Sequence, residues 1–315
     1  MTTFTRDSAS IRSLDDLYEI LDAMHMESGW HRKSPALWPE PASAFKPMRW
    51  RYADAKIVLD AAGRLVDTKL AERRNLTLTN PCENNTYATL RTIVAAYQMM
   101  LPGEQARSHR HTPNALRVIL DGEGSYTIVD GARLDMHPGD VVLTPGWSWH
   151  AHVTDGATPC YWIDVLDVPL IHLLETMFYE KHPNEMEVVT SRPETSAMAF
   201  PLSDIRQHLA DAGSEHTIEL GNPALSTLAL FVRELPGGTT TATEQTTANN
   251  IFVVLKGSGT TDVAGTRLDW TFGDIVAVPI WQSFSHHATA DAMLLRVTDE
   301  PVQRVLGLLR QSTRS

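Results

Sequence analysis

The sequence predicts an all-β dominated protein with two β-barrels of the same kind, an N-terminal helical arm and bridging helices. Two observations lead to this prediction. From about residue 90 onward, short alternating apolar runs are separated by Gly, Pro and Asp, which is typical of antiparallel barrels and sandwiches. In addition, the stretch 129–145 recurs without a gap at 263–279. The chain therefore contains two copies of one barrel.

The repeat extends to both sides of this stretch. Upstream, Leu101–Gly103 matches Leu235–Gly237, and Asp121–Gly124 matches Lys256–Gly259. Downstream, a tryptophan follows the matched proline at the same distance in both copies. The shared glycines mark turns between strands, where a positive φ must be tolerated.

The segments outside the barrels carry helical or extended signals. Ser13 precedes an amphipathic run at 14–25 with acidic residues in its first turn, which predicts a helix. Four prolines between Lys33 and Pro47 predict an extended arm. A further helix is predicted at 52–65, with Gly63 ending it. Three more helices, two between the barrels and one after them, are expected at 171–180, 202–213 and 301–311.

These predictions divide the chain into five parts. They are an N-terminal helical and extended arm, a metal-binding barrel, a helical linker, a barrel without metal and a C-terminal helix, at 1–89, 90–170, 171–222, 223–298 and 299–315.

Composition argues against several classes of function. The formal net charge of −11 disfavours nucleic-acid binding, which needs basic surface. No run of about 18 apolar residues and no N-terminal signal segment occur, so we expect no membrane association. The chain has two cysteines, Cys82 and Cys160, too few for a disulfide framework, which fits a reducing, cytoplasmic location.

Three histidines of the first copy form a candidate metal site. His109 and His111 are two residues apart on a predicted strand, so their side chains project from the same face. His150 follows a Pro-Gly turn on a later strand and can complete a set of three imidazoles. A single strand histidine is usually structural, but this combination predicts one divalent metal. Imidazole suits iron and zinc alike, so the pattern leaves the metal open.

The second copy lacks these ligands. The counterparts of the three histidines fall near Glu244, Thr246 and Phe284. His286 and His287 lie past the ligand position and are expected to be core or surface residues. We therefore predict one metal per chain.

The histidine motifs resemble those of the cupin superfamily. The first reads G-x5-H-x-H from Gly103, and the second ends P-x-x-x-x-H at His150. The resemblance implies a metal inside a small barrel, and two copies make a bicupin. Many cupins add a glutamate ligand four residues after the second histidine, where this chain has Ala115. Without that carboxylate the metal charge is uncompensated, which suits a chelating dianionic substrate and oxygen-activating iron.

A narrower resemblance rests on segments concentrated in the first half of the chain: GWHRK (29–33), PALWPEP (35–41), WRYADA (50–55), AYQMMLPG (96–103), SHRHTPNALRVILDGEG (108–124), PGWSWHAH (145–152) and YWIDVLDVPL (161–170). They are similar to the gentisate 1,2-dioxygenase family, which includes enzymes acting on salicylate, substituted salicylates and 1-hydroxy-2-naphthoate. The resemblance implies a bicupin that binds Fe(II) and is usually a homotetramer. It also implies that O₂ opens an aromatic ring between the carboxyl- and hydroxyl-bearing carbons.

Several residues are candidates for substrate binding. Arg117 follows His111 by six residues, so it can face the same interior and bind a carboxylate bidentately. Gln98 resembles the family's hydrogen-bonding glutamine and would hold the carboxylate with Arg117. Arg73 stands where the family has a pocket arginine, although Arg74 is adjacent.

Two further residues are candidates for catalysis. His152 shares a face with His150 and is expected to hydrogen-bond the substrate phenolate or move a proton, with Asp164 orienting it. Several relatives have a tryptophan near the position of Val94. The smaller valine predicts a wider pocket.

The sequence thus predicts an Fe(II)-dependent, extradiol-type ring-cleaving dioxygenase acting on gentisate or a related salicylate-type acid. The alternatives are a non-redox zinc or nickel isomerase or lyase, and a carboxylate sensor. A sensor would normally carry a DNA-binding module, and no basic helix-turn-helix is predicted.

Overall fold

The protein is described by a computed structural model that covers residues 8–30, 37–213, 216–221 and 225–314. The chain forms two compact units, Met1–Ala42 and Ser43–Ser315. No helix of the described residues is long and apolar enough to cross a membrane.

The first unit contains the predicted N-terminal helix. Helix α1 spans Leu14–Ala23, and Ser13 caps it. The Asp16 backbone N–H donates to Ser13 Oγ at 3.0 Å, and the Ser13 N–H donates to the Asp16 carboxylate at 3.1 Å. This reciprocal pair satisfies two of the unpaired donors at the helix start. From 37 to 47 the chain forms neither helix nor strand, as predicted for the arm, while 33–36 lie outside the described residues.

The second unit begins with β1 Met48–Trp50, α2 Tyr52–Leu65 and β2 Arg74–Thr77. The first barrel follows, with strands β3 Val94–Met100, β4 Gln105–His111, β5 Ala115–Asp121, β6 Ser125–Val129, β7 Ala132–Met136, β8 Val141–Thr144, β9 His150–Thr154 and β10 Cys160–Leu166. The connection contains α3 Val168–Leu173, β11 Tyr179–Lys181, β12 Ala199–Phe200, α4 Leu202–Ala212 and β13 Thr217–Glu219.

The second barrel repeats the first, with strands β14 Ala229–Leu235, β15 Thr243–Thr246, β16 Asn250–Lys256, β17 Ser258–Val263, β18 Thr266–Thr271, β19 Ile275–Val278, β20 Phe284–Ala288 and β21 Ala292–Thr298. The chain ends with α5 Glu300–Val305 and β22 Gln311–Arg314. Each barrel has a six-stranded and a five-stranded sheet, ordered β12-β8-β5-β10-β3-β2 and β11-β4-β9-β6-β7 in the first, β1-β19-β16-β21-β14-β13 and β18-β17-β20-β15-β22 in the second. The predicted architecture of two like barrels is confirmed.

The two barrels exchange strands. β1 precedes the first barrel but pairs with β19 of the second, with Trp50 opposite Ile275. β12 precedes the second barrel but pairs with β8 of the first. The helix after each strand is held alike, because the Tyr52 N–H donates to Asp274 at 3.0 Å and the Leu202 N–H to Asp140 at 2.9 Å. The repeat therefore begins well upstream of residues 90 and 223.

Two buried carboxylates link the barrels in the same reciprocal manner. Asp299, after the second barrel, accepts hydrogen bonds from the hydroxyl of Thr92 and from the Asn249 amides. Asp167, after the first barrel, accepts hydrogen bonds from the Thr227 hydroxyl and from Asn114, which is the equivalent of Asn249. Burial raises the pKa of both carboxyl groups, and these hydrogen bonds oppose the rise.

Successive side chains along a strand point to opposite faces of the sheet and so pack into two different apolar cores. In β3, Ala95, Tyr97 and Met99 face a shared apolar layer that also contains residues of the second barrel's large sheet. Met100 faces the other way, into a plug inside the first barrel that includes Ile119 and Trp162. This apolar cluster fills part of the barrel interior. Polar side chains on the same face of these strands point into the interior as well.

Three helix predictions need correction. α2 continues past Gly63 to Leu65, because a single glycine within a helix costs only about 1 kcal/mol. The helix predicted at 171–180 is limited to α3, since 179–181 adds to the edge of β4 as β11. The helix predicted at 301–311 is limited to α5, since 311–314 pairs with β15. In both cases a free sheet edge outweighs helical propensity.

Candidate metal centre

The three predicted histidines converge inside the first barrel. β4 and β9 are antiparallel neighbours, and their register sets His109 directly opposite His150. His111 lies two residues further on the same face of β4. Their candidate ligand atoms all lie within 4.8 Å of one another, and among the described residues this is the only such group of three or more.

Each imidazole is oriented by a backbone carbonyl close to it in the sequence. His109 Nδ1 lies 2.9 Å from the Arg107 carbonyl, His111 Nδ1 lies 2.9 Å from that of Pro113, and His150 Nδ1 lies 3.0 Å from that of Ser148. A carbonyl can only accept, so each Nδ1 carries the hydrogen and each Nε2 presents a lone pair. This is the arrangement that metal-binding histidines require.

Burial keeps the three rings neutral. It lowers the pKa of His109 to about 4, and it lowers the pKa of His111 and His150 as well. His150 Nε2 is fully buried and has no hydrogen-bond partner among the described residues. A buried, neutral nitrogen that presents a lone pair without a partner fits a metal ligand. The residues present therefore fit a divalent ion.

The loop that carries His150 is held by cation–π contacts. Trp147 has a φ of +69°, and its ring and that of Trp149 lie 4.4 and 4.5 Å from the Arg110 guanidinium. Arg110 also pairs with Glu180 of β11 at 2.6 Å. These contacts of the two tryptophans with Arg110 fix the turn before β9.

Arg117 lies beside the histidines, as expected from its spacing. Its side chain is 1% exposed, donates to Thr144 Oγ1 at 2.7 Å and lies 3.4 Å from the Asp164 carboxylate. Burial lowers its pKa to about 10, with Asp164 opposing the shift and the nearby charge of Arg73 adding to it. The guanidinium therefore stays charged at neutral pH.

Asp164 orients different groups from the one predicted. The sequence suggested that it orients His152, but its carboxylate accepts from Gln98 Nε2 and from Trp162 Nε1, the latter at 2.9 Å. His152 is instead held by Thr127, whose hydroxyl lies within hydrogen-bond distance of Nδ1. The register explains the difference, because Thr127 is directly opposite His152, whereas Asp164 is directly opposite Arg117.

The adjacent residues Arg73 and Arg74 have different surroundings. Arg74 is buried, pairs with Glu104 and donates to the Val66 carbonyl at 3.0 Å. Arg73 is close enough to the centre for its charge to lower the pKa of His109 and Arg117. Val94 is buried at the start of β3, on the face that Gln98 occupies.

The second barrel has no such centre in its described residues. Glu244 is opposite Phe284, as His109 is opposite His150, so the predicted counterparts are the structural ones. His286 is buried and occupies the place of His152, because it bonds to Thr261 as His152 bonds to Thr127.

Three contacts of the centre were missed by sequence reasoning. Thr127 and Thr144 hold site residues from neighbouring strands, and an isolated threonine gives no signal. The Tyr179 ring packs 5.4 Å from that of His109, on a segment predicted to be helical. Only the cross-strand register could have revealed these contacts.

Comparison with known proteins gives consistent matches. The model of the "Cupin domain" family matches residues 96–166. The chain is 31% identical to gentisate 1,2 dioxygenase 1 of Aquipseudomonas alcaligenes, over 98% of this chain and 99% of the relative. It is 32% identical to 5-aminosalicylate 1,2-dioxygenase of Comamonas sp, over 95% of this chain and 90% of the relative.

Solved structures agree with these relatives. The salicylate 1,2-dioxygenase from Pseudaminobacter salicylatoxidans superposes with a TM-score of 0.87 at 26% identity, covering 98% of this chain and 99% of that one. A crystal structure of the salicylate 1,2-dioxygenase from Pseudoaminobacter salicylatoxidans in adducts with gentisate gives a TM-score of 0.86 at 26% identity, covering 99% and 96%.

Proposed function

This chain belongs to the gentisate 1,2-dioxygenase family, and from that premise we propose how its first barrel works. The full-length relatives confirm the resemblance found in the sequence. The protein is a ring-cleaving dioxygenase that uses O₂ to open gentisate or a related salicylate-type acid between the carboxyl- and hydroxyl-bearing carbons. The observation that supports this activity best is the three-histidine centre with a buried arginine beside it.

We propose that one Fe(II) per chain is held by the Nε2 atoms of His109, His111 and His150. The donor set supports this assignment, because three neutral nitrogens without a carboxylate leave the charge of the ion for an anionic chelating substrate. Bound iron would supply a redox-active Lewis acid with open positions for substrate and O₂.

Arg117 is proposed to bind the substrate carboxylate. Thr144 accepts from Nη1 and the Asp164 carboxylate lies 3.4 Å from Nε, which leaves other N–H groups of the guanidinium to form a fork toward an anion. In the dry barrel interior such a charge-assisted contact is strong and directional. Arg73 adds a second positive charge near the centre.

Gln98 is proposed to contact both a substrate hydroxyl and the carboxylate. A carboxylate accepts only from the amide nitrogen, so Asp164 fixes which end of the amide faces the site. Gln98 Oε1 is buried without a partner in the described structure, and it is an acceptor to which a substrate hydroxyl would donate. The second amide hydrogen is available for the carboxylate.

His152 is proposed to hold or move the phenolic proton. It is fully buried, its pKa is lowered by burial and by Arg117, and its Nε2 has no partner among the described residues. When the Thr127 hydroxyl donates to Nδ1, the ring hydrogen sits on Nε2 and can be donated to a phenolate oxygen.

Oxygen uptake by iron-loaded protein tests the function. Gentisate, salicylate, 5-substituted salicylates and 1-hydroxy-2-naphthoate are compared, with ring opening followed by absorbance and product stoichiometry. We expect at least one of these acids to consume about one O₂ per molecule, as a dioxygenase requires. If none supports oxygen uptake, the proposal is wrong.

Metal analysis separates this function from its rival. Three imidazoles also suit zinc, so a non-redox isomerase or lyase would use the same ligands. Reconstitution with Fe(II), Zn(II) or Ni(II) should restore oxygen uptake with iron alone. Full activity of protein containing only zinc would exclude the iron proposal.

We further propose that the chain forms a homotetramer. Exposed apolar side chains support an interface near α3 and β11: Leu173, Leu174, Phe178 and Tyr179. Light scattering on the purified protein measures the mass directly, and a monomer of 35.0 kDa would contradict this proposal.

A further inference from the structure

The interior of the second barrel has an arginine at the position that Asp164 occupies in the first barrel, and an aromatic ring at the position of Arg117. Phe252 is opposite Arg296, as Arg117 is opposite Asp164 in the first barrel. A second guanidinium, that of Arg233, comes from β14. The two barrels thus present different chemistry at equivalent positions.

These side chains line a cavity of about 100 Å³. Its polar wall consists of Arg233, Glu244, Arg296, His286 and Thr217, and its apolar wall includes Phe252. The cavity is separate from the metal centre, since none of its lining residues belongs to the first barrel.

His286 directs an unused donor into this cavity. The ring is 1% exposed, and Nδ1 lies 2.8 Å from Thr261 Oγ1. That oxygen also accepts from Trp270 Nε1 at 2.9 Å, and when the threonine hydroxyl donates to Nδ1, the ring hydrogen of His286 sits on Nε2. His286 Nε2 and Thr217 Oγ1 are both buried without partners among the described residues.

The two guanidinium groups are also incompletely used. Arg233 Nη1 donates to Glu244 at 2.9 Å, and Arg296 Nε donates to Asn250 Oδ1 at 2.6 Å. The other ion pairs of Arg296 are longer, at 4.0 Å to Glu244 and 3.6 Å to Glu300. Each guanidinium has several further N–H groups, so the cavity holds more donors than acceptors.

The two buried atoms without partners, His286 Nε2 and Thr217 Oγ1, together with the arginine N–H groups that line the wall, favour an acceptor in the cavity. The Glu244 carboxylate in the cavity wall would repel a multiply charged anion strongly. It would repel a singly charged anion less, and the donors of the cavity suffice for such an anion. The volume equals that of about three water molecules, which suits a ligand of a few heavy atoms. The aromatic wall favours a ligand with a short apolar end.

We propose that the second barrel is a binding site for a small monocarboxylate of the size of acetate or propionate. Its oxygens accept from Arg296, Arg233 and His286 Nε2, and its alkyl end lies against Phe252. This site is independent of ring cleavage in the first barrel.

Calorimetric titration with acetate tests the proposal. The iron-loaded enzyme is first saturated with gentisate without O₂, so that the carboxylate site of the first barrel is occupied. We expect saturable acetate binding, weakened about tenfold or more in Arg233→Met by loss of a charged hydrogen-bond donor. Arg267→Met, on exposed β18 of the same barrel, is the matched control and should bind as the wild type does.

Three results would overturn the proposal. The first is the absence of saturable acetate binding to the wild type, and the second is equal binding by Arg233→Met and Arg267→Met. The third is sulfate binding as tightly as acetate, since Glu244 should disfavour a dianion. Thr217→Val removes the buried hydroxyl of this half-buried residue with little change of volume and provides a second variant, for which we also expect weaker binding. The gentisate ring-opening rate should be unchanged in all three variants.

Discussion

Replacement of Arg117 by methionine should impair ring cleavage without removing the metal. The guanidinium is 1% exposed and is the charged group that we assign to the substrate carboxylate. Loss of one buried charge-assisted hydrogen bond costs about 1.5–3 kcal/mol. This corresponds to a decrease of about 10- to 100-fold in kcat/KM. Iron content should be unchanged, because Arg117 does not contribute a ligand atom to the histidine cluster.

The change should also lower stability, because the buried Asp164 carboxylate loses its positive partner, so folding of the variant is checked by circular dichroism. Asp164 keeps its hydrogen bonds from Gln98 and Trp162 after the arginine is removed, and methionine fills a similar volume. Arg133→Met, on β7 of the same barrel, is the control and should retain wild-type kinetics. Initial rates with gentisate and iron analysis check both variants. A fully iron-loaded Arg117→Met enzyme with wild-type kcat/KM would refute the assignment of this residue.

Three further predictions concern neighbouring features. Thr127→Val should lower kcat about tenfold at similar KM, because His152 loses the hydrogen bond that orients it; an unchanged kcat would count against this. Burial lowers the pKa of His286 to about 3 in the folded protein, against about 6.5 in the unfolded chain, so the folded state should lose stability as the pH falls from 6.5 toward 3. The wild type should lose about 2 kcal/mol more than His286→Leu between pH 7 and 5, measured by urea unfolding, and parallel losses would contradict this. Gly63→Ala should stabilise by about 0.5–1 kcal/mol, because alanine is the better helix former and the nearest atom, Met99 Cε, is the end of a flexible side chain that can move; a clear destabilisation in urea unfolding would contradict this.

The sequence revealed the parts of the molecule that depend on local pattern. The repeat at 129–145 predicted two barrels, and the spacing of His109 and His111 predicted that their side chains share a face. Both predictions rest on the period of two along a strand and on turn glycines, which are local properties.

The sequence could not reveal which strands become neighbours. β11 has a helical pattern but lies on a free edge of β4, and Thr127 orients His152 because β6 and β9 are adjacent. The partner predicted for His152, Asp164, is on the opposite sheet with Arg117. Cross-strand register is a long-range property, and a single sequence contains little information about it.

The exchange of β1 and β12 bears on how such a protein can change over time. In a chain with two like barrels, residues other than histidine at positions 244 and 284 remove metal binding from one copy and leave the other copy's ligands intact. Deletion of that copy would have a different result, because β1 would lose the sheet edge on which it is seated and Thr92 would lose Asp299. Unfolding should accordingly occur in a single transition. The barrel without metal is thus retained as an obligate half of the scaffold, free to acquire another ligand.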